Sequence, residues 1–165
     1  PDQDLGSELY EITQKLCLNA GLCAYEVSNH AQPGLECAHN LVYWTGGSYL
    51  GIGPGAHGRL SIDGKRCATE AWSAPERWLS AVRENGRGEA ERFELSAAEQ
   101  TQERLLMGLR LTTGVPMDAL DLSVLNWKAV CELKADGFLT ADEQRLVATA
   151  KGRPVLNKLL ELILT

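Results

Sequence analysis

No pair among the five cysteines, Cys17, Cys23, Cys37, Cys67 and Cys131, has CxxC or CxxxC spacing, and no Cys/His finger pattern occurs. That argues against a disulfide framework and a structural zinc site, and leaves free thiols in a reducing compartment as the plain reading. Long apolar runs are lacking too: the longest, near Leu159 to Leu164, is broken by Glu161, which excludes a helical membrane span. Positive charge is not in excess. The formal net charge is −6, most of it in the first 95 residues, with the rest of the chain near neutral. Neither half offers the basic footprint of non-specific nucleic-acid binding. Internal repeats and low-complexity tracts are absent. The chain also opens at Pro1 without an initiator methionine, as an excerpt or processed product would, so the lack of a signal-peptide pattern carries no information.

What is present is ordinary in bulk. Apolar residues make up 44% and charged residues 23%, which places the chain among soluble globular proteins. Its length suits one domain, or a domain remnant followed by a small second domain.

The periodicity predicts an amphipathic helix over Asp4–Ala20, with Leu5, Leu9, Ile12 and Leu16 on one face and Gly21 as the stop. Leu22–Ser28 reads as a short buried strand and Asn29–Ser48 as loop with a short helix. Tyr49–Gly53 reads as a second strand entering a glycine-rich run through Gly58. Asp63-Gly64 signals a type I′ hairpin. Ser73 and Glu76 suggest a capping box for a helix through Arg83, closed by Gly86. Arg87–Leu95 is charged and reads as a linker.

Ser96 and Glu99 form a second capping box, opening a helix with Leu105, Leu106 and Leu109. Pro116 starts a short helix through Leu120, and Asn126 caps another that ends at Gly137. Phe138–Thr140 and Arg145–Ala148 pair as a hairpin. Thr149 caps a last helix bearing Val155, Leu156, Leu159, Leu160 and Ile163. The fold class expected is α+β: a barrel-type remnant over 1–70, a connecting helix and linker over 71–95, and a winged-helix-like domain over 96–165.

Chemistry concentrates in His39-Asn40-Leu41-Val42-Tyr43-Trp44, just after Cys37. A neutral imidazole is a common ligand of heme iron. Tyr43 and Trp44 offer flat apolar faces with polar edges, suited to packing on a porphyrin. Asn40 suits either orienting the imidazole or capping a turn. On residue chemistry alone the commoner use of such a stretch is structural, with His-Asn at a turn and the aromatic pair in a core. Glu26, inside a predicted buried strand, requires hydrogen-bond partners; it either bonds structurally to the neighbouring loop or points into a site. For His30 and His57, turn or surface roles are the plainer reading. The run Gly51–Gly58 has the wrong spacing for a dinucleotide fingerprint and is interrupted by Pro54. It either forms a tight turn or brings backbone close to a cofactor.

Taken together, Tyr25–Asn29, Pro33-Gly34, Cys37, the HNxxYW stretch and Tyr49–His57 resemble the signature of radical-SAM proteins of the coproporphyrinogen-dehydrogenase-like (HemN-like) family. HNxxYW, matched at all its fixed positions, resembles the HemW-like heme-chaperone branch. Leu139 with Thr149-Ala150-Lys151-Gly152 resembles the family's C-terminal domain.

The resemblance implies a partial TIM-type barrel of radical-SAM kind ahead of the C-terminal domain. It also implies a 4Fe-4S cluster held by CxxxCxxC, with S-adenosylmethionine on its unique iron. That cysteine motif is absent here, so the chain alone should be catalytically silent. Given the family, His39 becomes the leading ligand of heme iron, with Asn40, Tyr43 and Trp44 around it and Cys37 as a weaker candidate. Gly53, Gly55, Ala56 and His57 become the loop beside S-adenosylmethionine.

The first function implied is heme binding and delivery to acceptor hemoproteins, in the cytoplasm and without nucleic acid or a transmembrane segment. The second is oxygen-independent oxidative decarboxylation of coproporphyrinogen III. A winged-helix DNA binder comes third, disfavoured because the recognition helix Asn126–Asp136 balances Lys128 and Lys134 against Glu132 and Asp136. Uncovered barrel surface makes self-association an expectation.

Overall fold

The computed structural model describes residues 2–164; Pro1 and Thr165, which begin and end the expected domain ranges, lie outside the described residues. Helix α1 (Gln3–Asn19) starts where Asp2 accepts a hydrogen bond from the Leu5 amide at 2.9 Å, and ends before Gly21, whose φ is 77°. Strands β1 (Cys23–Ala24) and β2 (His30–Ala31) make a two-stranded hairpin. The expected strand Leu22–Ser28 therefore stops at Ala24. Beyond it the backbone bends around the fully buried Glu26, whose carboxylate needs local donors that an extended strand would carry away.

Helix α2 (Ala38–Trp44) follows. Tyr49–Gly53 forms only a single bridge, Tyr49 to Arg59, instead of the expected strand. Strands β3 (His57–Ile62) and β4 (Lys65–Ala71) form the hairpin anticipated from Asp63-Gly64; both turn residues have positive φ, 49° and 78°, as a type I′ turn requires. Helix α3 (Pro75–Asn85) has Ala74 at its N-cap with no side-chain bond, so the Ser73/Glu76 box does not form; Pro75 pre-sets the first helical φ instead. Gly86 closes it with φ 72°.

The charged stretch Arg87–Leu95 is not a linker. It carries β5 (Glu89–Glu94), antiparallel to β4, giving a sheet of order β3-β4-β5. An edge strand exposes one face and one side to water, so alternating charges are tolerated there.

The second part follows its local signals closely. Helix α4 (Ala97–Gly108) opens with the full Ser96/Glu99 capping box. Strand β6 (Val115–Pro116) and a 3-10 turn, Met117–Ala119, replace the expected short α-helix at Pro116. Helix α5 (Trp127–Ala135) is capped by Asn126, which accepts from the Ala129 amide at 3.2 Å. Strands β7 (Leu139–Ala141) and β8 (Arg145–Ala148) pair with β6 in the order β6-β8-β7. Thr149 caps the turn at Gly152, and a 3-10 turn, Arg153–Val155, precedes helix α6 (Leu156–Ile163). Val155, expected on the apolar face, is exposed.

Helices and antiparallel pairs thus make an α+β fold. Its main core is built from residues 105–163, among them Leu105, Leu109, Val130, Leu139, Leu146 and Ile163; Val27 packs on it from outside. Helix α1 shares in no such core: Leu5, Leu9, Ile12 and Leu16 are 45%, 49%, 43% and 64% exposed. We predict that the chain self-associates through this stripe, and that Leu9→Glu with Leu16→Glu returns it to monomer in static light scattering. A monomeric unmodified chain would contradict this.

Candidate functional site

Helix α2 places the site. Residues four apart share a helix face, and here the Tyr43 hydroxyl lies 3.2 Å from Nε2 of His39, the rings meeting edge to face at 5.0 Å and 72°. Tyr43 in turn meets Tyr49 edge to face, with centroids 4.5 Å apart. His39 is exposed while Tyr43 is half-buried, so the imidazole is presented outward on a braced aromatic base. The orienting partner of the imidazole is Tyr43. Asn40 instead donates to the Tyr25 hydroxyl at 3.3 Å and fixes the helix to the preceding bend. Nor does His39-Asn40 cap a turn: Cys37, exposed, is the N-cap residue and makes no side-chain cap bond.

Trp44 faces a different neighbour. The Arg110 guanidinium lies 4.7 Å from its ring centroid, and among the described residues its buried Nε1 has no hydrogen-bond partner. Arg110 also pairs with Glu26, its Nε and Nη2 each 3.2 Å from Oε2. The other carboxylate oxygen accepts from the Ser28 amide (2.7 Å), the Ser28 hydroxyl (2.8 Å) and Asn29 Nδ2 (2.6 Å). Glu26 is therefore structural. Burial works to raise its pKa, but the bonds from Ser28 and Asn29 and the charge of Arg110 prevail and hold it below the usual carboxylate value.

The remaining candidates do not gather here. His30 Nε2 is 3.1 Å from Gln14 Oε1, tying β2 to α1. His57 begins β3 opposite Glu70 and is exposed. Gly53, Gly55, Ala56 and His57 form a closed turn in which the Gly55 amide donates to Trp72 O at 2.9 Å and the Ala56 amide to Gly53 O at 3.3 Å. Small residues are required for packing at its ends: a Cβ on Gly51 would stand 2.5 Å from His57 O, and one on Gly58 2.5 Å from Thr69 Oγ1. This turn borders a cleft of about 310 Å³ against β4 and α3.

Among the described residues no three His, Cys, Asp or Glu side chains group as metal ligands. Cys23, Cys37 and Cys131 are exposed and separate, and Cys67 is buried. The thiols do not fit an iron–sulfur cluster. A heme iron needs only an accessible axial nitrogen, and the exposed His39 fits that demand.

One group of residues had no signal in the sequence. Arg59, Arg66 and Arg104 converge on a cleft beside Tyr43 and Tyr49. Glu103 takes Arg59 in a bidentate pair, with Nε at 2.9 and 3.0 Å and Nη2 at 2.6 Å. Since β3, β4 and α4 each contribute, no local pattern could have revealed the cluster.

Residues 95–155 match the HemN C-terminal domain family. The radical S-adenosyl methionine domain-containing protein 1, mitochondrial, of Bos taurus is 36% identical, the match covering 97% of this chain and 39% of that protein. The heme chaperone HemW of Mycobacterium tuberculosis is 34% identical over 99% of this chain and 40% of its own length. For HemW of Escherichia coli the values are 31%, 99% and 44%. The chain is thus similar to HemN- and HemW-named proteins over part of their length. It spans roughly two fifths of the curated relatives' length. In fold it matches Escherichia coli coproporphyrinogen III oxidase (HemN), a radical SAM enzyme, with TM-score 0.72 at 16% identity, over 98% of this chain and 41% of that one.

The Glu26 ring of donors yields a pH test. A folded pKa below the unfolded value means a stabilisation fully present above about pH 4.3, the unfolded Glu value, and lost as pH falls toward the lower folded one. Glu26→Gln is expected to cost about 1–3 kcal/mol at neutral pH. Chemical denaturation should show that difference shrinking below about pH 4; a pH-independent difference would exclude the carboxylate's role.

Proposed function

We propose that the protein carrying this chain binds heme at the His39 face of α2 and passes it to acceptor hemoproteins. The observation that carries this reading is the HNxxYW stretch folded as one helix, with an exposed imidazole braced by Tyr43 and with Trp44 half-buried at the helix end. His39 supplies the axial nitrogen, Asn40 secures the helix, and Tyr43 and Trp44 wall the ring; Cys37, exposed at the helix start, is a secondary contact. The names of the HemW relatives support heme delivery.

Within this reading, residues 1–70 are the end of a radical-SAM barrel, and 71–95 lead on from it through α3 and through β5, which stays paired to β4. Residues 96–165 are a winged-helix-like domain, supported by the order α4-β6-α5-β7-β8-α6. The 4Fe-4S cluster and S-adenosylmethionine belong to parts of the protein outside this chain, with the Gly53–His57 turn facing the latter. A cytoplasmic site is part of the proposal for a protein of the bacterial kind, while other relatives are named as mitochondrial. No described helix is long and apolar enough to cross a membrane.

A second reading, coproporphyrinogen III oxidase, is supported by the fold match to HemN. A heme titration of the intact protein beside its His39→Ala variant separates the two. A Soret shift at stoichiometric heme, lost in the variant, is the expected result. Equal Soret behaviour in both proteins would return His39 to a structural role and make coproporphyrinogen turnover the reading to test.

A further inference from the structure

We infer that Arg66 and Arg104, together with the ring of Tyr43, form a carboxylate-binding cleft that receives a propionate of the heme held at His39. The inference rests on the heme reading and adds to it the group that fixes the ligand's orientation. Three guanidinium groups line the cleft, and Glu103 offers the one carboxylate among its lining residues. That carboxylate is committed to Arg59 through three short hydrogen bonds.

Among the described residues neither Arg66 nor Arg104 makes an ion pair, and Glu103 acts on Arg66 only as a nearby charge. Arg66 holds only neutral acceptors, Gly47 O at 2.9 Å and Ser48 Oγ at 3.3 Å. Arg104 makes no hydrogen bond or ion pair among the described residues. Burial, and after it the neighbouring charge of Arg104, push the Arg66 guanidinium below its usual value. Two half-buried like charges held together are costly until an anion joins them, and arginine suits a carboxylate because it offers paired parallel donors.

Size decides which part of a ligand enters. The cavity is about 50 Å³, room for one or two water-sized groups and so for a carboxylate, but not for a porphyrin ring. Position links it to the heme face: Tyr43 lines the cleft, and its hydroxyl reaches His39. A ligand bound at His39 and a carboxylate in the cleft are thus one tyrosine apart. Arg104 also borders the neighbouring cleft lined by Trp44, so it stands between the two aromatic residues of the motif.

The test compares heme with its dimethyl ester, whose propionates carry no charge, on the intact protein and on Arg104→Gln. Arg104 has no structural bond to lose, and a far-UV circular dichroism spectrum checks the fold. Expected is an about tenfold to hundredfold weaker affinity of the variant for free-acid heme, unchanged affinity for the ester, and only partial recovery in Arg104→Lys, which restores the charge but not the paired donors. Equal heme affinity in native protein and Arg104→Gln overturns the cleft while leaving the heme reading intact. A loss shared equally by acid and ester also overturns it. Should heme bind to none of the proteins, titration with pyrophosphate separates the remaining cases. Binding that Arg104→Gln abolishes would make the cleft a phosphate site and refute the propionate assignment. No pyrophosphate binding would refute an anion site altogether.

Discussion

A fully buried carboxylate must be met by donors or the surrounding fold cannot persist, and Glu26 is such a group. Its donors come from two distant places. Ser28 and Asn29 lie on its own bend, whereas Arg110 follows α4, 84 positions along the chain. The Thr112 amide adds a bond to Tyr25 O at 3.0 Å, so the bend docks on the end of α4 as a unit. Asn40 then hangs α2 from Tyr25, and Arg110 covers the Trp44 ring. The outward angle of His39 is therefore set by a chain of contacts that begins at one ion pair, and loosening that pair would blur the site before it unfolded the core.

Helix α4 is the element both parts share. One side supplies Leu105 and Leu109 to the core. Gly108 allows α2 to approach: a Cβ there would stand 3.4 Å from Trp44 O and 2.5 Å from Val115 Cγ2. Another side carries Glu103 and Arg104 to the cleft beside Tyr43. A helix that packs, spaces and charges at once explains why the HNxxYW helix is placed from the second part of the chain even though the motif lies in the first.

Legibility in the sequence followed the range of the interactions. Asp63-Gly64, Ser96 with Glu99, and Asn126 act within four residues, and each produced the element expected of it. Leu22–Ser28 misled because apolar residues surround Glu26, whose needs pull the chain into a bend. Arg87–Leu95 misled in the opposite sense, since its charges read as solvated linker while backbone pairing to β4 is indifferent to them. The site divides likewise. His39 and Tyr43 were readable because they stand in one short motif, and the short helix expected within Asn29–Ser48 brings them onto one face. Arg59, Arg66 and Arg104 meet only through tertiary packing, so nothing local marked them.

Exposure bears on what this chain's part of the site can do. Radical or acid–base chemistry on a porphyrinogen profits from a closed, water-excluding pocket. Carriage and handover need the reverse: a ligand bound through few contacts, with part of its face free for the acceptor, because affinity among related sites is governed mainly by the rate of release. His39 is exposed on a short surface helix, and the cleft beside it has room for a carboxylate alone. A porphyrin held there by one axial nitrogen and one propionate would leave most of its surface outside this chain. Such a grip gives orientation from this chain without enclosure by it.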